Sequence, residues 1–381
     1  MVGTELSLRR AWPRSPKHLL LEYIDRDGGL IAGQWHEDQG ELKRVARQTA
    51  RAGTPSDEQS PDQANRIWLG STSSDPDTYA LLQAQGTDRR LPGLASLIAR
   101  DVARLLVHRP ERRAVVRLDV AGQIRYVKVV RPERVEALVA TSRLVQALPC
   151  SLWSTPEVLT VDRTAGAVTF SALAGRSLDN LLDDERLSVA AHAVGAALAD
   201  LHSTPQPRAI RAHHAEDEVK MLRGWIDRTS AFVPRLRHLL DAAGNVYAAL
   251  NAGTSPPALL HRDFYDKQVF ADAHNSIGIL DFDTLAIGEA ALDLANALVH
   301  FELRALQARC APDQGRAATE ALLAGYSPSP QVLHRLMAYA DAARLRLACV
   351  YAFRPHWSAL PALLVERLGQ PVPSLFHEGR S

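Results

Sequence analysis

The sequence has few cysteines, no long apolar run and almost no net charge, and each of these absences removes a class of protein. Cys150, Cys310 and Cys349 lie far apart and form no CxxC pair, so a structural zinc site has no support. No apolar run is long enough to cross a bilayer, and the N-terminus lacks the apolar segment of a signal peptide. We therefore expect a cytoplasmic protein without a membrane partner.

The charge balance argues against a nucleic acid as the partner. The 381 residues carry a formal net charge of +1 at pH 7, and no basic block is interleaved with aromatic side chains. Hydrophobic residues make up 46% of the chain, which is enough for a sizeable core. The composition leaves the oligomeric state open.

The first part of the chain is rich in predicted strands. Residues 18–35 predict a β-hairpin because apolar runs flank a DRDGG turn, and residues 114–130 predict another with its turn near Ala121–Gly122. Residues 50–77 are rich in Ser, Thr, Asp, Pro and Gln, which predicts a loop. Residues 92–107 show helical spacing of apolar residues.

The rest of the chain is mainly helical, with one β-rich interruption. The predicted elements are a helix from Pro132 to about Leu148, strands over 150–173, helices from Arg186 through 216–250, a β island at 258–283, and helices from about Gly288 to the end. This order predicts an α+β fold of two lobes. We expect an N-terminal extension at 1–107, a β-rich lobe at 108–175 and a helical lobe at 176–381.

Two polar clusters in the β island carry the residue types that phosphoryl transfer needs. The apolar run 258–260 ends in His261-Arg262-Asp263, and the run 277–280 ends in Asp281-Phe282-Asp283. Phosphoryl transfer needs a carboxylate beside the attacking hydroxyl, oxygen ligands for Mg²⁺ and a cation on the nucleotide phosphates. These groups can be supplied in that order by Asp263, by Gln268 with Asp281, and by Lys128.

This constellation resembles the aminoglycoside phosphotransferase and choline kinase family, which has the protein-kinase-like fold. The family pattern is His-Gly-Asp, an Asn after four further residues, Ile-Asp-Phe or Ile-Asp-Leu, and later Asp-Leu-Ala. The matching residues here are His261, Asp263, Gln268, Leu280-Asp281-Phe282 and Asp293-Leu294-Ala295. The stretch ALADLHSTP at 197–205 resembles the family's helix that ends in Leu-His, and the N-terminal hairpin region resembles the cap of maltokinase-like members.

The resemblance implies ATP and Mg²⁺ as cofactors and a small hydroxylated molecule as acceptor. It implies that Asp263 is the catalytic carboxylate, with Gln268 and Asp281 as metal ligands. His261, Asp283 and Asp293 are expected in supporting roles, and His261 and Asp293 are expected to brace the catalytic loop rather than contact substrate.

The resemblance also indicates how the nucleotide is held. Lys128 is expected to contact the phosphates while paired with a helix glutamate. Glu133 and Glu136 are both available, and Glu136 is preferred because it lies a full turn into the helix. Residues 167–178 resemble the hinge that holds adenine, which brings Ser171 and Leu173 to the nucleotide.

Three departures from the family pattern leave a second interpretation open. Arg262 stands where the family has glycine, Gln268 stands where it has asparagine, and the loop HRPERR at 108–113 contains no glycine. A pseudokinase that binds nucleotide without transfer is therefore the alternative. A protein kinase is disfavoured, because only about ten residues separate Asp281 from the next helical run and no Ala-Pro-Glu element follows.

The C-terminal part bears on the choice of acceptor. It contains no acidic cluster, whereas a polycationic aminoglycoside would require several carboxylates. A sugar, an amino sugar or a related metabolite is favoured, with an aminoglycoside antibiotic as a further candidate.

Overall fold

The computed structural model of the chain describes residues 7–24, 26, 30–38, 40–41, 81–83, 88, 90–109 and 111–372. The predicted loop at 50–77 lies outside these residues. The strands are β1 Ser7–Ser15, β2 His18–Ile24, β3 Leu30–His36, β4 Leu81–Gln83, β5 Ala103–Arg109, β6 Arg113–Val120, β7 Gln123–Val130, β8 Trp153–Ser154, β9 Val158–Asp162, β10 Ala167–Ser171, β11 Arg176–Ser177, β12 Pro257–Leu260, β13 Val269–Ala271, β14 Ile277–Ile279 and β15 Ala286–Glu289. The helices are α1 Leu94–Ile98, α2 Val135–Gln146, α3 Leu187–Ser203, α4 Ala215–Phe232, α5 Arg237–Leu240, α6 Ala243–Asn251, α7 Ala291–Leu306, α8 Pro312–Tyr326, α9 Pro330–Tyr351 and α10 Leu360–Val365.

Strands β1 to β4 form an antiparallel sheet at the N-terminus, which we call the cap sheet. The predicted hairpin at 18–35 is confirmed as β2 and β3, which pair from His18↔His36 to Ile24↔Leu30. The cap sheet packs its apolar face on the helical lobe, where Trp35 meets Phe232 edge-to-face with 5.4 Å between ring centroids. Burial of this face fixes the cap sheet against the rest of the chain.

A second sheet has the strand order β5-β6-β7-β10-β9 and forms the β-rich lobe. The predicted hairpin at 114–130 is confirmed, and its turn residues Ala121 and Gly122 both have positive φ. The predicted helix over 92–107 is wrong beyond Ile98. The chain turns at Arg100 and residues 103–109 form β5, because pairing with β6 satisfies the backbone groups of this segment. The predicted domain bounds stay a prediction, and β5 crosses the first of them.

The helical lobe forms around α7, in which every residue from 291 to 304 is buried. The predicted helix over 216–250 is interrupted at Pro234, which lacks a backbone N–H and so separates α4 from α5 and α6. Strand β15 was not predicted and pairs antiparallel with β12. Together these elements confirm the α+β, two-lobe order. Within the described residues no helix combines the length and apolar character needed to cross a membrane.

Candidate active site

The loop 261–268 follows β12 and is held by a buried carboxylate from α7. Asp293 is fully buried, and its two oxygens accept the backbone N–H groups of His261 and Arg262, each at 2.6 Å. Arg262 has a φ of 68°, a left-handed conformation that disfavours residues with a side chain. This explains why the family pattern has glycine here, and it gives Asp293 the bracing contacts that were expected of it.

His261 is the first residue of the loop and is fully buried. Its Nε2 is 2.6 Å from the carbonyl oxygen of Leu280, and its Nδ1 is 3.2 Å from the backbone N of Asp263. A neutral ring that donates from Nε2 and accepts at Nδ1 satisfies both contacts. His261 therefore joins the two polar clusters of the β island rather than facing a substrate.

The carboxylate of Asp263 has no partner among the described residues. Within the described chain it accepts no hydrogen bond and forms no ion pair. Burial raises the pKa of Asp263, and the positive charge of Arg346 opposes that shift. A partly buried carboxylate without a partner is available to a ligand hydroxyl.

Gln268 and Asp281 lie side by side at the ends of neighbouring strands. The backbone N–H of Leu280 donates to the carbonyl oxygen of Gln268 at 2.8 Å, which sets Gln268 next to Asp281. Asp281 has a φ of 62° and leaves β14 in a sharp turn. The Gln268 side chain is buried and binds no other described residue, so its amide is free.

Asp281 accepts hydrogen bonds from two cations of the β-rich lobe. Lys128 Nζ is 2.8 Å from its Oδ1, and Arg113 Nη1 is 2.9 Å from its Oδ2. Burial alone would raise the pKa of Asp281, but the charges of Lys128 and Arg113 outweigh it and hold the pKa well below its usual range. Lys128 also donates to Asp283 at 2.6 Å.

The expected pair between Lys128 and Glu136 does not form. The side chain of Glu136 is 68% exposed and pairs with Arg163 of the segment after β9. Lys128 is satisfied by Asp281 and Asp283 instead, since both carboxylates lie directly opposite β7. The predicted pairing of Lys128 with Glu136 was therefore wrong.

The predicted hinge follows β10. The N–H of Ser171 donates to the carbonyl of Glu157 at 3.0 Å, and its hydroxyl accepts from the N–H of Glu157 at 2.9 Å, so the Ser171 amide is occupied. Leu173 has no backbone hydrogen bond to any other described residue, and its side chain packs against Gly278. The amide and carbonyl of Leu173 therefore remain available to a purine edge.

The side chains around Asp281 provide oxygen ligands, which suit a hard divalent cation. Gln268, Asp281 and Asp283 offer amide and carboxylate oxygens, the ligand type that Mg²⁺ prefers. No group of three or more His, Cys, Asp or Glu side chains with metal-binding geometry occurs in the described part of the chain. The candidate site therefore relies on Gln268 as well as on carboxylates.

Sequence reasoning missed several residues that shape the site. Arg113, the first residue of β6, was noted only as part of the glycine-free stretch HRPERR, and its contact with Asp281 was not predicted. His202, from the Leu-His end of α3, has its Nε2 3.3 Å from Asp293. Arg304 of α7 forms a bidentate pair with Asp266 of the catalytic loop, at 2.6 and 3.0 Å. These contacts join residues that are far apart along the chain, so no local sequence pattern predicts them.

Comparisons with known proteins give the same assignment of fold. The model of the phosphotransferase enzyme family, APH, matches residues 96–339. An aminoglycoside-3'-phosphotransferase of type VIII is 17% identical, with 68% of this chain and 99% of that chain covered and a TM-score of 0.50. An aminoglycoside phosphotransferase from Streptomyces rimosus, solved with ADP and streptomycin, is 21% identical over 68% of this chain and 98% of that one, with a TM-score of 0.48. A choline/ethanolamine kinase family protein from Mesorhizobium loti is 16% identical over 72% and 92%, with a TM-score of 0.48. No curated protein sequence matches the chain.

Proposed function

The chain belongs to the phosphotransferase enzyme family and is a small-molecule kinase, and on that premise we propose that it transfers the γ-phosphate of ATP, with Mg²⁺, to a hydroxyl group of its acceptor. The observation that carries this proposal is the joining of Lys128 and Asp281 across the two lobes, with the unpartnered carboxylate of Asp263 close by. These are the cation, the metal-binding oxygen and the acceptor carboxylate that the reaction requires.

In the proposed reaction Asp263 orients the acceptor hydroxyl and takes its proton. The hydroxyl oxygen attacks the γ-phosphorus, and the bond from that phosphorus to the bridging oxygen of ADP breaks. The raised pKa of Asp263 supports this role, because it makes the carboxylate a stronger base than an exposed one.

The remaining residues bind and position the nucleotide. Mg²⁺ held by Gln268 and Asp281 would neutralise charge on the phosphates. Lys128 would bind the α- and β-phosphates, positioned by Asp281 and Asp283 rather than by Glu136. Leu173 would offer its free backbone groups to adenine.

Nucleotide consumption tests the proposal directly. ATP with Mg²⁺ would be supplied with a panel of sugars, amino sugars, aminoglycosides and amino alcohols, and ADP formation and phosphorylated product would be measured. Asp263→Asn is expected to lower kcat by about 10²- to 10⁴-fold while leaving the affinity for ATP unchanged. Asp313→Asn removes a charge from an exposed carboxylate of α8 and is the matched control. Full turnover by Asp263→Asn would rule out the catalytic assignment.

One observation favours a nucleotide-binding protein without transfer as the second candidate. Both oxygens of Asp281 already bind cations of the chain, so a metal has to compete for them. Calorimetry with ADP and Mg²⁺ separates the two candidates. Nucleotide binding without product from any acceptor in the panel would favour the second.

A further inference from the structure

Three arginines near the candidate active site have no carboxylate partner. Among the described residues, Arg109 at the end of β5 forms no side-chain hydrogen bond, Arg346 of α9 binds only the amide oxygen of Asn296 at 2.5 Å, and Arg354 lies over the Tyr351 ring at 4.2 Å. Elsewhere in the helical lobe, buried arginines bind buried carboxylates: Arg304 with Asp266, Arg335 with Glu289, and Arg344 with Glu302. The first three arginines therefore form no ion pair with a carboxylate of the described residues.

Arg346 is joined to the segment from Asp263 to Tyr265 through Asn296, whose amide N–H donates to the carbonyl oxygen of Phe264 at 2.8 Å. The charges of Arg346 and Arg109 both act on the Asp263 carboxyl, against the effect of burial on its pKa. Burial, reinforced by neighbouring arginines, lowers the pKa of Arg109 to about 10, and burial also lowers the pKa of Arg354. Tyr265 lies close enough to both Arg109 and Arg354 to influence the pKa of each. The guanidinium charges thus outnumber the single unpaired carboxylate near them, Asp263.

The position of Arg346 and Arg354 separates them from the nucleotide phosphates. Lys128, the cation assigned to the phosphates, and its neighbour Arg113 come from the β-rich lobe and already contact Asp281. Arg346 and Arg354 come from the other side, from α9 and the segment that follows it. A molecule that reaches Asp263 from the helical lobe would meet their guanidinium groups first.

The cap sheet contacts the segment that carries Arg354. The N–H of Ala11 in β1 donates to the carbonyl oxygen of Phe353 at 2.8 Å, so β1 runs beside this segment. Glu22 of the neighbouring strand β2 is already bound by Arg9 and Arg10. Glu22 therefore forms no ion pair with Arg354.

We infer that the acceptor is a hydroxylated small molecule that also carries an anionic group, a carboxylate or a phosphate, and that Arg354 and Arg346 bind this group while Asp263 faces the hydroxyl. This inference rests on the proposed function. Guanidinium groups bind carboxylate and phosphate oxygens in a planar, bidentate manner, and a buried charge is stabilised when such a partner arrives. A polycationic acceptor would be repelled by the same groups.

Matched acceptors that differ only in charge test the inference. Two series are suitable: glucose, glucosamine, glucuronate and glucose 6-phosphate, and glycerol, glycerate and glycerol 3-phosphate. The acidic members are expected to give the highest kcat/KM with the wild-type chain, and the better of carboxylate and phosphate identifies the anion. Binding of the same probes in the presence of ADP and Mg²⁺ is measured by calorimetry, so that the result does not depend on turnover.

Substitutions of Arg354 test whether this residue causes the preference for acidic acceptors. Arg354→Gln is expected to raise the KM and the Kd of the acidic probe by about 10- to 100-fold, with the KM for ATP unchanged. Arg354→Lys retains the charge and is expected to recover part of the loss. Arg208→Gln removes an exposed arginine and is the control.

The outcomes distinguish this inference from the proposed function. Equal kcat/KM for neutral and acidic acceptors overturns the inference and leaves the kinase assignment intact. An increase in the KM for ATP alone in Arg354→Gln also overturns it, because the bound anion would then be the nucleotide. Absence of acidic-probe binding in both assays is a third contrary result. Binding of acidic probes that depends on Arg354, without phosphoryl transfer, supports the anion site and overturns the proposed function.

Discussion

Lys128 Nζ lies 2.8 Å from Oδ1 of Asp281, although 153 residues separate the two along the chain. This ion pair connects the third strand of the β-rich sheet to the loop after β14, and Arg113 occupies the second oxygen of the same carboxylate. The nucleotide phosphates and the metal would enter between these groups. The pair therefore sets the distance between the lobes before any ligand binds.

Removal of the Lys128 ammonium is expected to reduce phosphoryl transfer. Lys128→Met should lower kcat/KM for ATP by about 10²- to 10³-fold, because a preorganised cation on the phosphates is lost. Steady-state kinetics with varied ATP would measure the change. Lys220→Met, which alters an exposed lysine of α4, should behave as wild type. Wild-type kinetics in Lys128→Met would exclude Lys128 from the nucleotide site.

The pH dependence of turnover is expected to report on Asp263. Burial raises the pKa of this carboxyl above its ordinary value of 3.8, and the protonated form cannot accept a proton. Activity should therefore fall as the pH decreases through that raised pKa. Arg346→Gln removes a charge that favours the carboxylate, so the acidic limb of kcat/KM should move to higher pH. If the midpoint of this acidic limb is unchanged or lowered in Arg346→Gln, and circular dichroism shows the variant to be folded, Asp263 is not the group that titrates.

Arg262 occupies a backbone conformation that suits glycine. Its φ is 68° and its side chain forms no hydrogen bond or ion pair within the described chain, so little is lost when the side chain is removed. Arg262→Gly is expected to leave stability unchanged or to raise it by about 1 kcal/mol. Arg143→Gly, in the exposed face of α2, is expected to lower it by about 1 kcal/mol. Urea unfolding midpoints compare the two, and a clear loss in Arg262→Gly would show an unseen contact.

The pair between Arg304 and Asp266 is expected to contribute strongly to stability. Their side chains are only 4% and 1% exposed, so Arg304→Met leaves an unpaired buried carboxylate in the catalytic loop. The expected loss is about 3–5 kcal/mol in the free energy of unfolding. Arg316→Met breaks an exposed pair with Asp313 and should have little effect. Equal stability of the two variants in denaturant titrations would show that the buried pair is dispensable.

The candidate catalytic cluster could be recognised in the sequence because its parts are close together in the chain. The cluster lies within the short segment that forms β12, β13 and β14, and its members are His261, Asp263, Gln268 and Asp281. The pairing Val269↔Ile279 brings Gln268, just before β13, close to Asp281, just after β14. The second hairpin was predicted for a similar reason, since its turn residues adopt the positive φ that the turn requires. In both cases a few adjacent residues decide the geometry.

Errors arose where long-range pairing decided the result. The apolar spacing of 92–107 suited a helix, yet residues 103–109 became β5 because β6 was available to pair with them. The apolar pattern over 216–250 predicted one helix, but the helix ends at Phe232, because Pro234 lacks the backbone N–H that would continue it. Glu136 had the right offset for a lysine partner, but α2 directs it to Arg163 and solvent.

The sequence by itself determined the α+β order and the candidate catalytic loop with Asp263, together with the amide and carboxylate that follow it. These depend on backbone preferences and on apolar periodicity, which act over a few residues. Only the tertiary structure decided that Lys128 and Arg113 bind Asp281, that Arg304 holds Asp266, and that Arg346 and Arg354 form no ion pair among the described residues. A charged side chain reaches several positions of similar energy, and the docking of distant elements selects among them.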